Sequence, residues 1–424
     1  MNSNNPENLV FFIDGQELTS FSNDCQRQEH VGIAYEWEGE NVVHLRFEPL
    51  PHSFGITHKV LFTKKPDNAT DAPIIVCVAD NGQTTVLYRK TELSYEPNII
   101  PAKSDLYSRN KGILELNILE QKRVLIIGLG SFGSQIGIEL AKAGVGTFSL
   151  MDFDRVELHN LARHTATVND LGRLKTDVIE QAIKGKNPYA TVHKYPVNIN
   201  DDVELLIREV AKADIVICAT DNNRSRFNIN RCVVSTRTPC IYGRAITRAE
   251  GGDVFIYRPG GACYCCLLGN NWFNAAMEEI TNEQSARNDG RIAAYTSAED
   301  ADAMVQVGLS ADIEPMCNMM VKLALTELSR GAQSGITSLE KEYVYPYYMW
   351  ANRRERNYAN WGSFDNEDQM PTIMRWYGVD VPRDEHCAQC GEKVTLDHGD
   401  SFINAFGQQA AQVNVNTTID LDNL

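Results

Sequence analysis

No stretch of this 424-residue chain reaches the run of about 18 uninterrupted apolar residues that a membrane-spanning helix needs. Basic residues are also in deficit, with 40 Lys and Arg against 56 Asp and Glu, leaving a formal charge of -16. That balance disfavours nucleic acid as a general partner, because phosphate backbones attract basic faces. It leaves room for a small anion such as a nucleotide, which a few local cations can hold. Residues 1–6 are polar and bring no basic start ahead of an apolar run, which argues against a secretory leader. The expectation is therefore a cytoplasmic protein whose eleven cysteines are thiols or metal ligands, not disulfides. No internal repeat is evident.

What is present changes character near residue 104. Residues 1–103 read as a β-rich accessory module. Runs at 31–37 and 42–47 flank a Glu-Gly-Glu-Asn turn, and runs at 74–79 and 84–88 flank Asp80-Asn81-Gly82, a strong hairpin signal. From 104 to 335 strand and helix patterns alternate. Strands are expected at 123–127, 147–153, 192–197, 214–219, 240–243 and 253–257, with helices at 132–143, 175–183, 224–235 and 315–330. Such alternation implies an α/β fold with a doubly wound, mainly parallel sheet. Residues 336–406 form a C-terminal segment with an aromatic-rich stretch at 343–350, and 407–424 reads as a polar, disordered tail.

Gly128-Leu129-Gly130-Ser131-Phe132-Gly133 follows the first of these strands and opens a helix. Gly128 allows the tight turn, Gly130 lets a phosphate approach the backbone, and Gly133 lets the helix pack closely. The helix N-terminus then offers free N–H groups and partial positive charge to an anion. Asp152, at the end of the next strand, is placed to bond ribose hydroxyls. Alone, this pattern fits NAD, FAD, S-adenosylmethionine or ATP equally well.

The segments that follow resemble one family. Asp152-Phe153-Asp154-Arg155-Val156-Glu157-Leu158-His159-Asn160-Leu161-Ala162-Arg163 is similar to the D-x-D-x-V-x-x-x-N-L-x-R segment of the ThiF/MoeB/HesA adenylyltransferases, in the ubiquitin-activating superfamily. Gly172-Arg173-Leu174-Lys175 resembles their G-x-x-K, and Cys218-Ala219-Thr220-Asp221-Asn222 their C-x-T/D-D-N, in the same order and spacing. The resemblance implies ATP-dependent adenylation of a carboxylate. It assigns the triphosphate to Arg163 and Lys175, with Asn160 orienting it. Asp154 and Asn222 fall in the nucleotide site, and Asp221 would hold Mg²⁺. Joining an anion to a polyanion and expelling pyrophosphate needs fixed positive charge at the site, which agrees. Tyr107-Ser108-Arg109-Asn110 resembles the family's Y-x-R-Q, whose Arg crosses a two-fold dimer; Asn110 replaces the Gln. A homodimer with Arg109 acting in trans is the implication. Arg226 reads either as a further phosphate contact or as a surface helix charge.

Cys263-Tyr264-Cys265-Cys266 and Cys387-Ala388-Gln389-Cys390-Gly391 supply two C-x-x-C pairs, suited to a closed tetrahedral zinc site. The family places its zinc pairs in this way, so Cys263, Cys266, Cys387 and Cys390 are the expected structural zinc ligands, with Cys265 spare. A redox C-x-x-C is the weaker rival.

Residues 267–314 contain no cysteine, although many relatives carry an acyl-accepting cysteine in that crossover. The reading that follows is an enzyme that stops at the acyl-adenylate. The rivals are a crossover hydroxyl (Ser285, Thr296 or Ser297) or a cysteine from elsewhere, and Cys317 reads as an inert core thiol. The expected substrate is a ubiquitin-like or sulfur-carrier protein whose C-terminal tail threads beneath the acidic crossover near 278–302. A peptide, a small-molecule or tRNA-linked carboxylate, and a non-catalytic scaffold are the alternatives. A nicotinamide oxidoreductase ranks last.

Overall fold

The computed structural model describes residues 8–37, 39–49, 55–65, 71–79, 81–100, 103–269, 297, 308–355, 358–364 and 370–392. The chain divides into two compact units, Met1–Arg109 and Asn110–Leu424.

In the first unit the strands are β1 (Val10–Asp14), β2 (Glu29–Trp37), β3 (Val42–Arg46), β4 (Ile56–Thr63), β5 (Ile74–Val78), β6 (Thr84–Tyr88), β7 (Leu93–Tyr95) and β8 (Asn98–Ile100). They form one mixed sheet in the order β7-β6-β5-β4-β2-β3-β1-β8. The two expected hairpins form as the antiparallel pairs β2–β3 and β5–β6. The sequence pattern predicts no helix here, yet α1 (Gly15–Asn23) follows β1 directly. Asp14 caps it by accepting from the N–H groups of Gln16 and Glu17, and Leu18 and Phe21 are its buried residues. Two apolar positions three apart are too short a stripe to distinguish from a loop in the sequence. A helix α2 (Lys103–Leu106) and a 3-10 turn (Ser108–Asn110) lead out of the unit.

The second unit has α3 (Leu116–Leu119), β9 (Arg123–Ile127), α4 (Ser131–Ala143), β10 (Thr147–Met151), α5 (Lys175–Lys186), β11 (Thr191–Tyr195), α6 (Val203–Val210), β12 (Ile215–Cys218), α7 (Asn223–Thr236), β13 (Cys240–Ala245), β14 (Gly251–Tyr257), α8 (Tyr264–Gly269), α9 (Ser310–Leu328), β15 (Tyr347–Ala351) and β16 (Arg375–Val379). Its sheet runs β11-β10-β9-β12-β13-β14-β15-β16. The first five strands pair in parallel, as the alternating pattern predicts, and the last three join antiparallel.

Pleat alternation divides the core in two. Val124, Ile126, Ile215 and Ile217 point into one layer with Ile136, Leu140 and Met320; Leu125, Ile127, Val216 and Cys218 point into the other with Leu206, Ile229 and Val233. Helices α4, α5 and α9 pack in the first layer, and α6 and α7 in the second. Helices on both faces explain why β9 and β12 read as continuous apolar runs.

The alternating pattern predicts no strand beyond residue 257, whereas β15 and β16 extend the sheet. Helix α9 begins five residues earlier than expected, with Pro315 inside it, so Ala311 lacks its usual N–H partner one turn on. Among the described residues no helix is long and apolar enough to cross a membrane. The 407–424 tail, Ser285 and Thr296 lie outside the described residues, as does the 278–302 crossover apart from Ser297.

Candidate functional site

Strand β9 ends in the turn that carries the glycines. Gly128 has φ of +85°, and a Cβ there would stand 2.7 Å from the Ala219 carbonyl oxygen. A Cβ on Gly133 would lie 1.9 Å from the Gly128 carbonyl oxygen, so α4 abuts the loop with no room for a methyl. Gly130 differs: a Cβ there meets nothing within 4 Å. It is the N-cap of α4 and makes no side-chain cap bond. The N–H groups of Gly130, Ser131, Phe132 and Gly133 meet no acceptor among the described residues. Four open amides at a helix start, beside open space, are the arrangement that suits an anion.

Asp152 follows β10 and is nearly buried. One carboxylate oxygen accepts from Leu129 N at 2.6 Å and the other from Asp154 N at 2.8 Å. It therefore braces the glycine loop. Burial raises its pKa, against the pull of Lys175 and of the two backbone N–H groups, while Asp154 adds to the rise. Lys175 opens α5, and its ammonium donates to Asp154 Oδ2 at 2.7 Å. Burial alone would lower the Lys175 pKa, but Asp152, Asp154 and Asp221 together carry it above the ordinary value. The ammonium is thus a fixed charge among three carboxylates.

Asp221 lies on the loop between β12 and α7. Asn222 caps α7, accepting from Ser225 N at 2.9 Å, and its amide donates to Asp221 Oδ1 at 3.3 Å. Asn160 accepts from Glu157 N at 3.0 Å and so closes a short 3-10 turn. The Asn160 carbonyl oxygen accepts from the N–H groups of Arg163 and His164. The half-buried Arg163 guanidinium has no hydrogen-bond or ion-pair partner among the described residues.

The structure decides one open alternative and adds one residue. Arg226 is not a surface charge; it is 2% exposed, donating to the Thr220 carbonyl oxygen at 2.7 Å and to Asn223 Oδ1 at 3.4 Å. It props the Asp221 loop from below. No motif in the sequence marks His164. Its Nε2 lies 2.7 Å from the Leu129 carbonyl oxygen, and its Nδ1 accepts from Ala166 N at 2.9 Å. The one local signal was a histidine directly after Arg163. Arg109 is exposed on the 3-10 turn that ends the first unit.

The cysteine pairs converge across 124 residues. Cys263 Sγ lies 3.9 Å from Cys266 and 3.6 Å from Cys387, and Cys266 lies 3.4 Å from Cys390. All four sulfurs fall within 4.8 Å of one another. A tetrahedron of about 2.3 Å Zn–S bonds has S···S edges of about 3.8 Å, so this donor set fits zinc. Gly391 has no room for a Cβ, which would meet the Cys387 and Glu385 carbonyl oxygens at 2.6 Å. Asn230 braces the first pair: its Oδ1 accepts from Tyr264 N, and its amide donates toward Cys263 and Cys265. Burial holds the core thiols protonated: Cys317 is pushed up, and Cys232 is pushed up to about 11.

The profile of the ThiF family matches residues 107–360. The chain is 41% identical over 155 residues to the molybdopterin-synthase adenylyltransferase of Escherichia coli (strain K12), covering 35% of this chain and 59% of that one. It is 37% identical over 156 residues to the sulfur carrier protein ThiS adenylyltransferase of the same organism, covering 36% and 61%. The chain thus spans about three fifths of the length of these curated relatives. Among solved structures, E. coli MccB with succinimide is similar at a TM-score of 0.48 and 19% identity, covering 69% of this chain and 75% of that one.

Proposed function

Because the chain belongs to the ThiF family, we propose that it is an ATP-dependent adenylyltransferase acting on the C-terminal carboxylate of a ubiquitin-like or sulfur-carrier protein. The curated relatives include adenylyltransferases named for molybdopterin synthase and for a sulfur carrier protein, which supports that substrate class. The observation that carries the reading is the combination of four open amides at the start of α4 with the Lys175 ammonium, held charged by three carboxylates.

In this reading the amides of residues 130–133, Lys175 and Arg163 receive the triphosphate. A carboxylate oxygen of the substrate attacks the α-phosphorus, the bond to the bridging oxygen breaks, and pyrophosphate leaves with the electron pair. Positive charge already fixed at the site stabilises that leaving group without reorganisation. Asp221, oriented by Asn222, would hold Mg²⁺, which neutralises phosphate oxygens when bound. Each Asp152 oxygen uses one lone pair on a backbone N–H and keeps capacity for a ribose hydroxyl. Arg109 is assigned to the site of a second copy in a cytoplasmic homodimer. The 336–406 segment is assigned to close the zinc site, where bound zinc supplies a rigid crosslink. With no cysteine in 267–314, the product is the acyl-adenylate itself.

Exchange of radiolabelled pyrophosphate into ATP tests this. Exchange that requires a carrier's free C-terminal carboxylate and vanishes in Lys175→Ala and Asp221→Ala supports the proposal. ATP binding without exchange for any carrier, peptide or small carboxylate would leave a scaffold. A DTT-labile adduct on the trapped enzyme would sink the claim that reaction stops at the adenylate.

A further inference from the structure

Leu129 is held through both of its backbone polar groups, its N–H in the peptide unit before it and its C=O in the unit that carries the Gly130 N–H. Leu129 N donates to Asp152 Oδ2 at 2.6 Å, and the Leu129 carbonyl oxygen lies 2.7 Å from His164 Nε2. The other ring nitrogen is already assigned. Nδ1 sits 2.9 Å from Ala166 N, which can only donate, so Nδ1 must be the bare acceptor. Nε2 therefore carries the hydrogen and donates it to Leu129. Both bonds are buried.

A trans peptide is planar, with its C=O and N–H pointing in opposite directions. Anchoring the Leu129 carbonyl consequently fixes the direction of the Gly130 N–H, the first of the four open amides. The same imidazole ties that loop to the segment bearing Asn160 and Arg163, since the Asn160 carbonyl oxygen accepts from both Arg163 N and His164 N.

We propose that His164, as the neutral Nε2–H tautomer, is a positioning residue that aims the Gly130 amide at a nucleotide phosphate and keeps Arg163 in register with it. The inference rests on the reading of this loop as a nucleotide-phosphate site. Burial holds the ring neutral in the first place. Of the charged groups that face it, Lys175 on α5 reinforces that and Asp170 on the 168–170 turn opposes it, as does the hydrogen bond to Leu129. Protonation of Nδ1 sets a second N–H against that of Ala166, and the clash turns the ring away from the Leu129 carbonyl, so nucleotide affinity falls on the acid side.

The test compares ATP binding by calorimetry in wild type, His164→Ala and His164→Gln across the acid-to-neutral range. A glutamine can still donate to the Leu129 carbonyl, but it does not titrate. Loss of the buried hydrogen bond predicts about tenfold weaker ATP binding in His164→Ala at neutral pH. Binding in His164→Gln should stay within about threefold of wild type and lose the acid-side decline. ATP binding in a folded His164→Ala within about twofold of wild type overturns the proposal, as does an undiminished acid decline in His164→Gln. If wild type binds no ATP, the functional reading fails separately. The clamp is then judged on the ring ¹⁵N shifts of His164 at neutral pH: a neutral Nε2–H ring supports it, and an Nδ1–H or protonated ring overturns it.

Discussion

Replacing Lys175 by methionine keeps the aliphatic stem and volume while deleting the charge, so it isolates the electrostatic role of this residue. The Lys175 side chain is 9% exposed and its partner Asp154 is 48% exposed, at 2.7 Å. Breaking a fully buried ion pair costs about 3–5 kcal/mol, because the surviving charge is left without compensation. Solvent around Asp154 screens part of that, which brings the expected loss to about 2–3 kcal/mol at pH 7.5. The sign of its pH dependence follows from the carboxylates. Asp152 already has a raised pKa from burial, with Lys175 opposing the rise. Without the ammonium its pKa climbs further. A carboxyl with a raised folded-state pKa favours the fold below its unfolded value and loses that advantage as pH rises through the folded value. The destabilisation of Lys175→Met should therefore be largest at pH 7.5 and shrink steadily toward pH 4.5. The Lys175 pKa is itself raised, so its own contribution is complete at both pH values and is lost only above the ordinary lysine value of 10.5. Urea unfolding followed by tryptophan fluorescence at the two pH values measures the difference. An equal loss at both, or a Lys175→Met protein as stable as wild type at pH 7.5, would refute the idea that one ammonium holds these carboxylates.

The glycine loop offers a sharp contrast. Gly133→Ala must displace α4 from the Gly128 carbonyl and should lower the melting temperature and abolish ATP binding. Gly130→Ala has open space around it, so it should melt within a few degrees of wild type yet bind ATP at least about tenfold more weakly, its methyl occupying the phosphate's path; tight ATP binding by Gly130→Ala would contradict the placement. For the cysteines, elemental analysis should find one zinc per chain, lost in Cys390→Ala, and chelation of the native protein should lower its melting temperature in a zinc-reversible way. Full zinc occupancy in Cys390→Ala would assign the metal elsewhere.

Much of this site was legible because its chemistry is local. A loop that must turn within one residue of a strand and let a helix abut it has to place glycine at 128 and 133, whatever the rest of the chain does. A buried parallel strand has to be apolar on both faces, as β9 and β12 are. Cysteine pairs with two residues between them mark a metal knuckle or a redox pair by local spacing. That both pairs serve one site came from the family resemblance, and the distances among the four sulfurs rest on folding alone.

The sequence by itself determined the alternating α/β frame, the glycine loop, the order of Asp152, Asn160, Arg163, Lys175 and Asp221, and the two cysteine pairs. Tertiary structure alone decided that Arg226 lies buried beneath the Asp221 loop, that β15 and β16 extend the sheet, and that His164 reaches 35 residues back to the Leu129 carbonyl. The physical reason is the same in each case. Periodicity and turn chemistry are written between neighbours, whereas burial and partner choice depend on groups that come together only when the chain closes on itself.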